Sequence, residues 1–355
     1  MVKLHPSTDN LIADIYGKYG HPYNRVITEG GIDLVAQTHK MHLKYLGIEK
    51  ESLNNMSILE CGGTGRDALA WARLGAGDVT HIEISKENVN RLMNYAKANK
   101  VTNLKVIHSD ILTVNLDSNA YDIVRSRGVV HHLGFPGLGI ARYSKWVKKG
   151  GYIHFNLYRG GTFYYYGVKQ MRRAIKSEDL PAFIEYIETA RIDGDRAGIL
   201  IDDLFVPTMH NATHALIKKD LTTLKLEIIW PLRGFDEVNH SIVYPDLPEK
   251  HEHLQYWVRK NQPHEEPEKI SKRLIYHKGV DDIELARLLP EARISLDAFE
   301  KFIPLIRNVS CSVRAKIITQ IYLFHHYELS KKAMSSLERH KRIADFIYSV
   351  MKELK

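Results

Sequence analysis

Two carboxylates and a glycine turn carry the first chemistry in this chain. Glu60 and Glu83 bracket most of the stretch MSILECGGTGRDALAWARLGAGDVTHIEI (residues 56–84), and Gly62-Gly63-Thr64-Gly65 follows directly after Glu60-Cys61. Glycines let a backbone approach a ligand closely. A helix start offers unpaired N–H groups, and an acidic residue about 20 positions on accepts hydrogen bonds from a ribose. The ligand that fits this pattern is a nucleoside with a small polar tail. Holding it requires a buried-looking strand at 57–60, the turn, an apolar-periodic helix and a second strand ending at Glu83, which together make a β-turn-α-β unit.

What the turn lacks narrows the ligand. A P-loop needs Lys followed by Ser or Thr, and neither pairing occurs here. A nicotinamide fingerprint reads G-x-G-x-x-G, and Ala68 stands at its third glycine, a substitution some dinucleotide sites accept. Glu60, the Gly-Gly-Thr-Gly turn and Glu83, in this order, resemble the class I S-adenosylmethionine-dependent methyltransferases. The family's usual acid-x-G-x-G-x-G is one residue shorter here, with Cys61 where the first glycine would fall. The resemblance implies S-adenosylmethionine as cofactor, S-adenosylhomocysteine as product, and contacts from Glu60, Gly62, Gly63, Thr64, Gly65, Glu83 and Ile84.

Later motifs follow the same order. A strand at 104–107 ends in His108-Ser109-Asp110-Ile111, which resembles the family's adenine-reading position. There Asp110 would accept from the exocyclic amino group and the Ile111 N–H would meet a ring nitrogen; the other reading of Asp110 is a turn aspartate. Strand four, 121–126, runs into R-G-V-V-H-H-L (127–133), similar to the strand-four exit of the small-molecule branch, where the backbone of Arg127 and Gly128 faces the methionine end of the cofactor. The Asn/Asp-Pro-Pro-aromatic motif of enzymes that methylate exocyclic or amide nitrogens is absent. Methyl transfer is an in-line displacement that needs a base only when the nucleophile must lose a proton. His131 or His132 suits that work, unless the pair merely packs or caps the following turn.

The resemblance implies a fold as well: α/β, a seven-stranded Rossmann-like methyltransferase sheet with a cap inserted between strands five and six and a further C-terminal all-helical region. Residues 1–50 would be a helical lid carrying Tyr16, Tyr19 and Tyr23, and residues 51–245 the cofactor-binding domain. Strand five reads at 151–157, the next good strand at 226–230 and a last one at 240–244, the final hairpin being antiparallel. The interval 158–225 would be a substrate cap. It opens with Tyr158-Arg159-Gly160-Gly161-Thr162-Phe163-Tyr164-Tyr165-Tyr166, and continues as a helix with Lys169, Arg172, Arg173 and Lys176 on one face. That stripe reads either as recognition of a substrate phosphate or carboxylate or as a solvated face; Tyr158, Arg159, Tyr165, Arg172 and His210 are the substrate-contact candidates. His210 and His214 have i, i+4 spacing, but no third ligand is evident and no metal is expected. Residues 246–355 would be a linker, rich in Pro, His and Glu over 245–270, followed by helices at 281–289, 296–306, 311–327 and 331–353, with His325 and His326 on the tail's surface.

Composition bounds these readings. The chain has 355 residues, 44% of them hydrophobic and 26% charged, and two cysteines, Cys61 and Cys311, without metal-ligand spacing. No signal-peptide core and no run of eighteen apolar residues is present, which fits a soluble, cytoplasmic protein. The net charge of +8 is concentrated in 301–355, where 11 Lys and Arg face 4 Asp and Glu. The leading expectation is therefore a methyltransferase acting on a small or medium-sized metabolite, with anionic metabolites among the candidates. The alternatives are an RNA or DNA methyltransferase gripping its substrate with the basic tail, and a non-catalytic cofactor-binding interaction protein; self-association into a homo-oligomer also fits.

Overall fold

A computed structural model describes residues 12–20, 27–160, 163–230, 253–263, 266–276, 291–329 and 334–354. The chain divides into two compact units: residues 1–158, 207–235 and 254–281 form one, and residues 159–206, 236–253 and 282–355 the other.

The first unit is built on a sheet. Its longer helices are α1 (Glu29–Leu46), α2 (Arg66–Leu74), α3 (Lys86–Ala98), α4 (Pro136–Trp146) and, after the excursion into the second unit, a helix at His214–Thr223. Its strands are β1 (Ser57–Cys61), β2 (Asp78–Glu83), β3 (Leu104–His108), β4 (Tyr121–Ser126), β5 (Val147–Arg159), β6 (Asn211–Ala212), β7 (Leu226–Trp230) and β8 (His253–Lys260). Among the described residues they make an eight-stranded sheet in the order β3-β2-β1-β4-β5-β8-β7, with the short β6 beside β5. From β3 to β5 every pairing is parallel, whereas β7 and β8 are antiparallel. Local chemistry sets the helix ends. Thr28 caps α1 through the Gly31 N–H, and Ser85 caps α3 through the Asn88 N–H.

Alternation along the strands divides the core. On one face Ile58, Val79 and Ile123 lie under Val35, Leu69, Trp71 and Leu92 of α1, α2 and α3. On the other, Leu59, Val124, Ile153 and Phe155 pack with Ile140, Tyr143 and Trp146 of α4. Parallel strands covered on both sides need such continuous apolar runs. One layer breaks the pattern. Two residues beyond Ile58 and its neighbours, the strand register lines up His81, Glu60, Arg125 and His154 across β2, β1, β4 and β5, all four buried.

The stretch 245–270, expected as a linker, contains β8 instead. Leu254, Tyr256 and Val258 alternate into one core while Trp257 enters the other, and the buried Lys260 ammonium donates to Asn119 Oδ1 (2.8 Å), Ser144 O (2.8 Å) and Val147 O (3.0 Å). The flanking Pro, His and Glu conceal this period. The strand expected at 240–244 and the helix at 281–289 lie outside the described residues.

The described elements that lie wholly within the second unit are helices. That unit combines α5 (Phe163–Ala174), α6 (Leu180–Thr189) and α7 (Gly194–Phe205) from the expected cap with three tail helices. The His214–Thr223 helix of the first unit is α8, so those from the tail are α9 (Ala292–Ile306), α10 (Cys311–Leu329) and α11 (Ser336–Glu353). Helix α5 packs on α7, α9 and α10, and α6 on α10. Buried polar contacts join the two segments: Tyr164 and Tyr322 both donate to Asp203 Oδ2 (2.5 and 2.7 Å), and Arg314 Nη1 donates to both oxygens of Asp179 (2.8 and 2.6 Å). His325, expected on the surface, is fully buried, its Nε2 3.2 Å from Tyr164 O; a Cβ on Gly167 would come within 2.6 Å of that nitrogen. No helix among the described residues is long and apolar enough to cross a membrane.

Candidate active site

A cleft in the first unit opens where the parallel strands end, the edge at which open α/β sheets bind ligands. The turn after β1 supplies Gly62 and Gly63, both at positive φ (78° and 87°). A Cβ on Gly62 would meet Val129 Cγ2 at 2.5 Å, so only glycine lets this turn lie against the strand-four exit. At Gly63 a Cβ would meet nothing within 4 Å. The Gly62 N–H is held by Ile82 O (2.7 Å).

From β2 comes Glu83, buried at the cleft wall. Its Oε1 accepts from the Ser85 N–H (2.8 Å) and the Asn88 amide (3.4 Å). Burial pushes this carboxyl up to about 7, against the pull of hydrogen bonds from Ser85, Asn88 and Gly63. Ile84 continues the wall. Past β3, Asp110 Oδ1 accepts from the Leu112 N–H (2.8 Å), a turn bond that coexists with a place in the lining, beside Ile111 and Leu112. Arg127, Gly128 and Val129 close the cleft from β4, and the Gly128 N–H donates to Asn156 Oδ1 (2.5 Å).

The two histidines part company here. His132 lines the cleft; its Nδ1 lies 2.8 Å from Thr208 O and its Nε2 3.2 Å from the Tyr158 hydroxyl. His131 is buried outside the lining, its ring stacked on Tyr158 at 3.6 Å, and its carbonyl accepts from the His210 N–H (2.9 Å). Tyr16 packs edge-on against His132 at 5.7 Å and, with Ile12, adds a wall from the N-terminal segment; the Tyr19 side chain and Tyr23 lie outside the described residues.

The remaining candidates sit elsewhere. Thr64 and Gly65 belong to the turn but not to the lining. Glu60 faces inward: it accepts from Arg125 Nη1 (2.5 Å) and Trp71 Nε1 (3.3 Å), and the same Nη1 reaches Asp67. Burial raises Glu60 to about 7 against the attraction of Arg125. Asp67, which burial alone would raise, is held far below the carboxylate range by Arg125 and Arg127. Above this layer His42 is pushed down to about 3, chiefly by burial and then by Arg125, and His39 stacks on Trp71 at 4.0 Å. Arg159, Tyr165 and Arg172 belong to the second unit, where Tyr165 is buried against Tyr164 and Arg172 donates to Asp203 O (2.8 Å) and Val206 O (2.6 Å). His210 precedes the helix that begins at His214, so the two do not share a helical face; His214 pairs with the Tyr256 hydroxyl (2.8 Å). Of the lining, the sequence reading gave no role to Ile12, Ile82, Ser109, Leu112, Val129, Leu133 and Gly134. All but Ile12 lie within or next to the quoted motifs, which was their only signal; nothing near Ile12 in the sequence marks it.

The glycine turn, the acid ending β2 and the acid beyond β3 thus converge on one cleft at a parallel sheet edge. Residues 59–155 match the family described as a methyltransferase domain. This segment is a class I methyltransferase domain. Its methyl donor is S-adenosylmethionine, and the cleft offers open space at Gly63, a buried carboxyl at Glu83 and apolar walls from Ile84, Ile111, Leu112, Val129 and Leu133. No curated protein matches the chain. Among solved structures, the domain is similar to the [4+2]-cyclase SpnF (22% identity, TM-score 0.27, 28% of this chain and 38% of that one). It is also similar to the N-terminal domain of EvdMO1 with S-adenosylhomocysteine bound (20%, 0.31, 40% and 54%) and to YcgJ of Bacillus subtilis (13%, 0.38, 66% and 100%). The first two matches span less than two thirds of those chains.

Proposed function

We propose that this protein transfers a methyl group from S-adenosylmethionine to a small or medium-sized metabolite, with His132 as the base that removes the acceptor's proton. The observation that carries this reading is the presence of His132 in the same lining as Glu83, Asp110 and the Gly62-Gly63 turn. When bound, the cofactor supplies an electrophilic methyl group. The chain then has to grip the nucleoside, orient the acceptor and exclude water. Gly62, Gly63, Glu83, Ile84, Asp110, Ile111 and the backbone of Arg127 and Gly128 would hold the donor. The half-exposed Arg127 side chain in the lining suits an acceptor carrying negative charge.

Of the eleven Lys and Arg of the basic tail, Arg307, Arg314 and Arg342 make contacts within their own unit. Arg314 is spent on Asp179, Arg342 on Glu328 (3.0 Å), and Arg307 on Arg173 O (2.9 and 2.7 Å), so these charges serve internal contacts rather than a phosphate-binding stripe. The test is label transfer from methyl-tritiated S-adenosylmethionine into cell extract, separated on a small-pore filter with and without nuclease. Label that passes the filter without nuclease is expected. Label retained until nuclease releases it would replace this reading with nucleic-acid methylation.

A further inference from the structure

Tyr158 lies near the end of β5, is 2% exposed, and touches both histidines of the strand-four exit. Its ring stacks on His131 with 24° between the planes, and its hydroxyl lies 3.2 Å from His132 Nε2. On the other side of the imidazole, Nδ1 lies 2.8 Å from Thr208 O. A carbonyl oxygen can only accept, so Nδ1 must carry the hydrogen. The lone pair of the neutral ring is then on Nε2, where the Tyr158 hydroxyl donates. The backbone is pinned as well: the Thr208 hydroxyl donates to His132 O and the His210 N–H to His131 O.

We propose that Tyr158 is a positioning residue that, together with the Thr208 carbonyl, holds His132 as the Nδ1–H tautomer and aims Nε2 as the proton-accepting nitrogen. The role rests on His132 being the base of the proposed reaction; the tautomer does not. It follows that the acceptor brings an O–H or N–H to the cleft. That group would displace the Tyr158 hydrogen from Nε2, and its proton would pass to Nε2 as the acceptor atom bonds to the methyl carbon and that carbon's bond to the sulfonium sulfur breaks, leaving S-adenosylhomocysteine as a neutral thioether. The imidazolium so formed donates from Nδ1 to Thr208 O and from Nε2 to the Tyr158 oxygen, because a hydroxyl reverses from donor to acceptor by rotating its hydrogen. An acceptor already ionised in solution would not need this arrangement.

The test is nitrogen-15 spectroscopy of the full chain with labelled histidine, His132→Gln identifying the resonance and Tyr158→Phe removing only the hydroxyl while keeping the stack on His131. In the unsubstituted chain the His132 signal is expected to report protonated Nδ1 and bare Nε2. In Tyr158→Phe the pH at which this ring takes up its second proton should fall by about half to one unit, because the charged ring loses a stronger hydrogen bond to the Tyr158 oxygen than the neutral ring loses from its hydroxyl. Protonated Nε2 in the unsubstituted chain, or an unmoved midpoint in the variant, overturns the proposal. Should Tyr158→Phe fail to fold, the tautomer of the unsubstituted chain decides alone. Because no acceptor is needed, failure here is distinct from failure of label transfer.

Discussion

Among single residues, Glu83 has the clearest consequence. Its carboxyl keeps a proton up to about 7 because it is buried, whereas ribose hydroxyls donate best to the ionised form. Binding should therefore release a proton, and affinity for S-adenosylhomocysteine should rise as pH passes upward through about 7. Calorimetry at pH about 6 and about 8, in buffers of different ionisation enthalpy, measures both effects. Glu83→Gln should bind weakly with no such dependence; a retained dependence would point to Glu60, which titrates nearby but does not face the cleft. A second expectation concerns Gly65, at φ 84°, where a Cβ would meet Leu92 Cδ2 at 2.3 Å. Gly65→Ala should lose about 2–4 kcal/mol from left-handed strain plus overpacking. Gly63→Ala, strained but unobstructed, should lose about 1–2 kcal/mol. Denaturant midpoints of the two variants test the ordering. The glycines and Glu83 were legible because their chemistry is local. The inward turn of Glu60 was not, since its partner Arg125 stands 65 residues away and nothing near Glu60 announces it.

At the level of elements, the His81-Glu60-Arg125-His154 row separates the apolar floor of the sheet from the cleft. Arg125 joins Glu60 on β1 to Asp67 on α2, so it ties strand to helix directly beneath the glycine turn. Arg125→Met should cost about 3–5 kcal/mol, because a buried carboxylate loses its counter-charge, and adding Glu60→Gln should restore part of it. Urea denaturation of the single and double variants measures this; a loss below about 1 kcal/mol in the single variant would refute the assignment. The parallel half, β1 to β5, was readable because its strands are punctuated by turns and all but β3 are followed by a helix. Strand β8 was not. Its alternation Leu254, Tyr256, Val258 is short, mixed with Arg and Lys, and set in Pro- and Glu-rich sequence that mimics a linker.

For the whole molecule, the main departure from the sequence reading is that the cap helices and the tail helices share one core. Amphipathic periods disclose that α5 and α9 each have a face to bury, but not that the two faces meet across roughly 120 residues of chain. A chain ending at residue 281 should therefore leave 159–206 uncovered and open to protease, while the sheet unit stays protected; limited proteolysis with mass spectrometry would locate the cuts. Equal protection of 159–206 with and without the tail would contradict the shared core. Birth at the ribosome imposes its own order on this arrangement. Helix α7 ends at Phe205 and α9 begins at Ala292, 87 positions later. At roughly 5–20 residues per second, the first three helices of that unit wait roughly 4–17 s before a partner begins to be synthesised. During that interval the nascent chain leaves Phe163, Tyr164, Phe183 and Ile187 uncovered, a standing invitation to chaperones that the finished protein no longer extends.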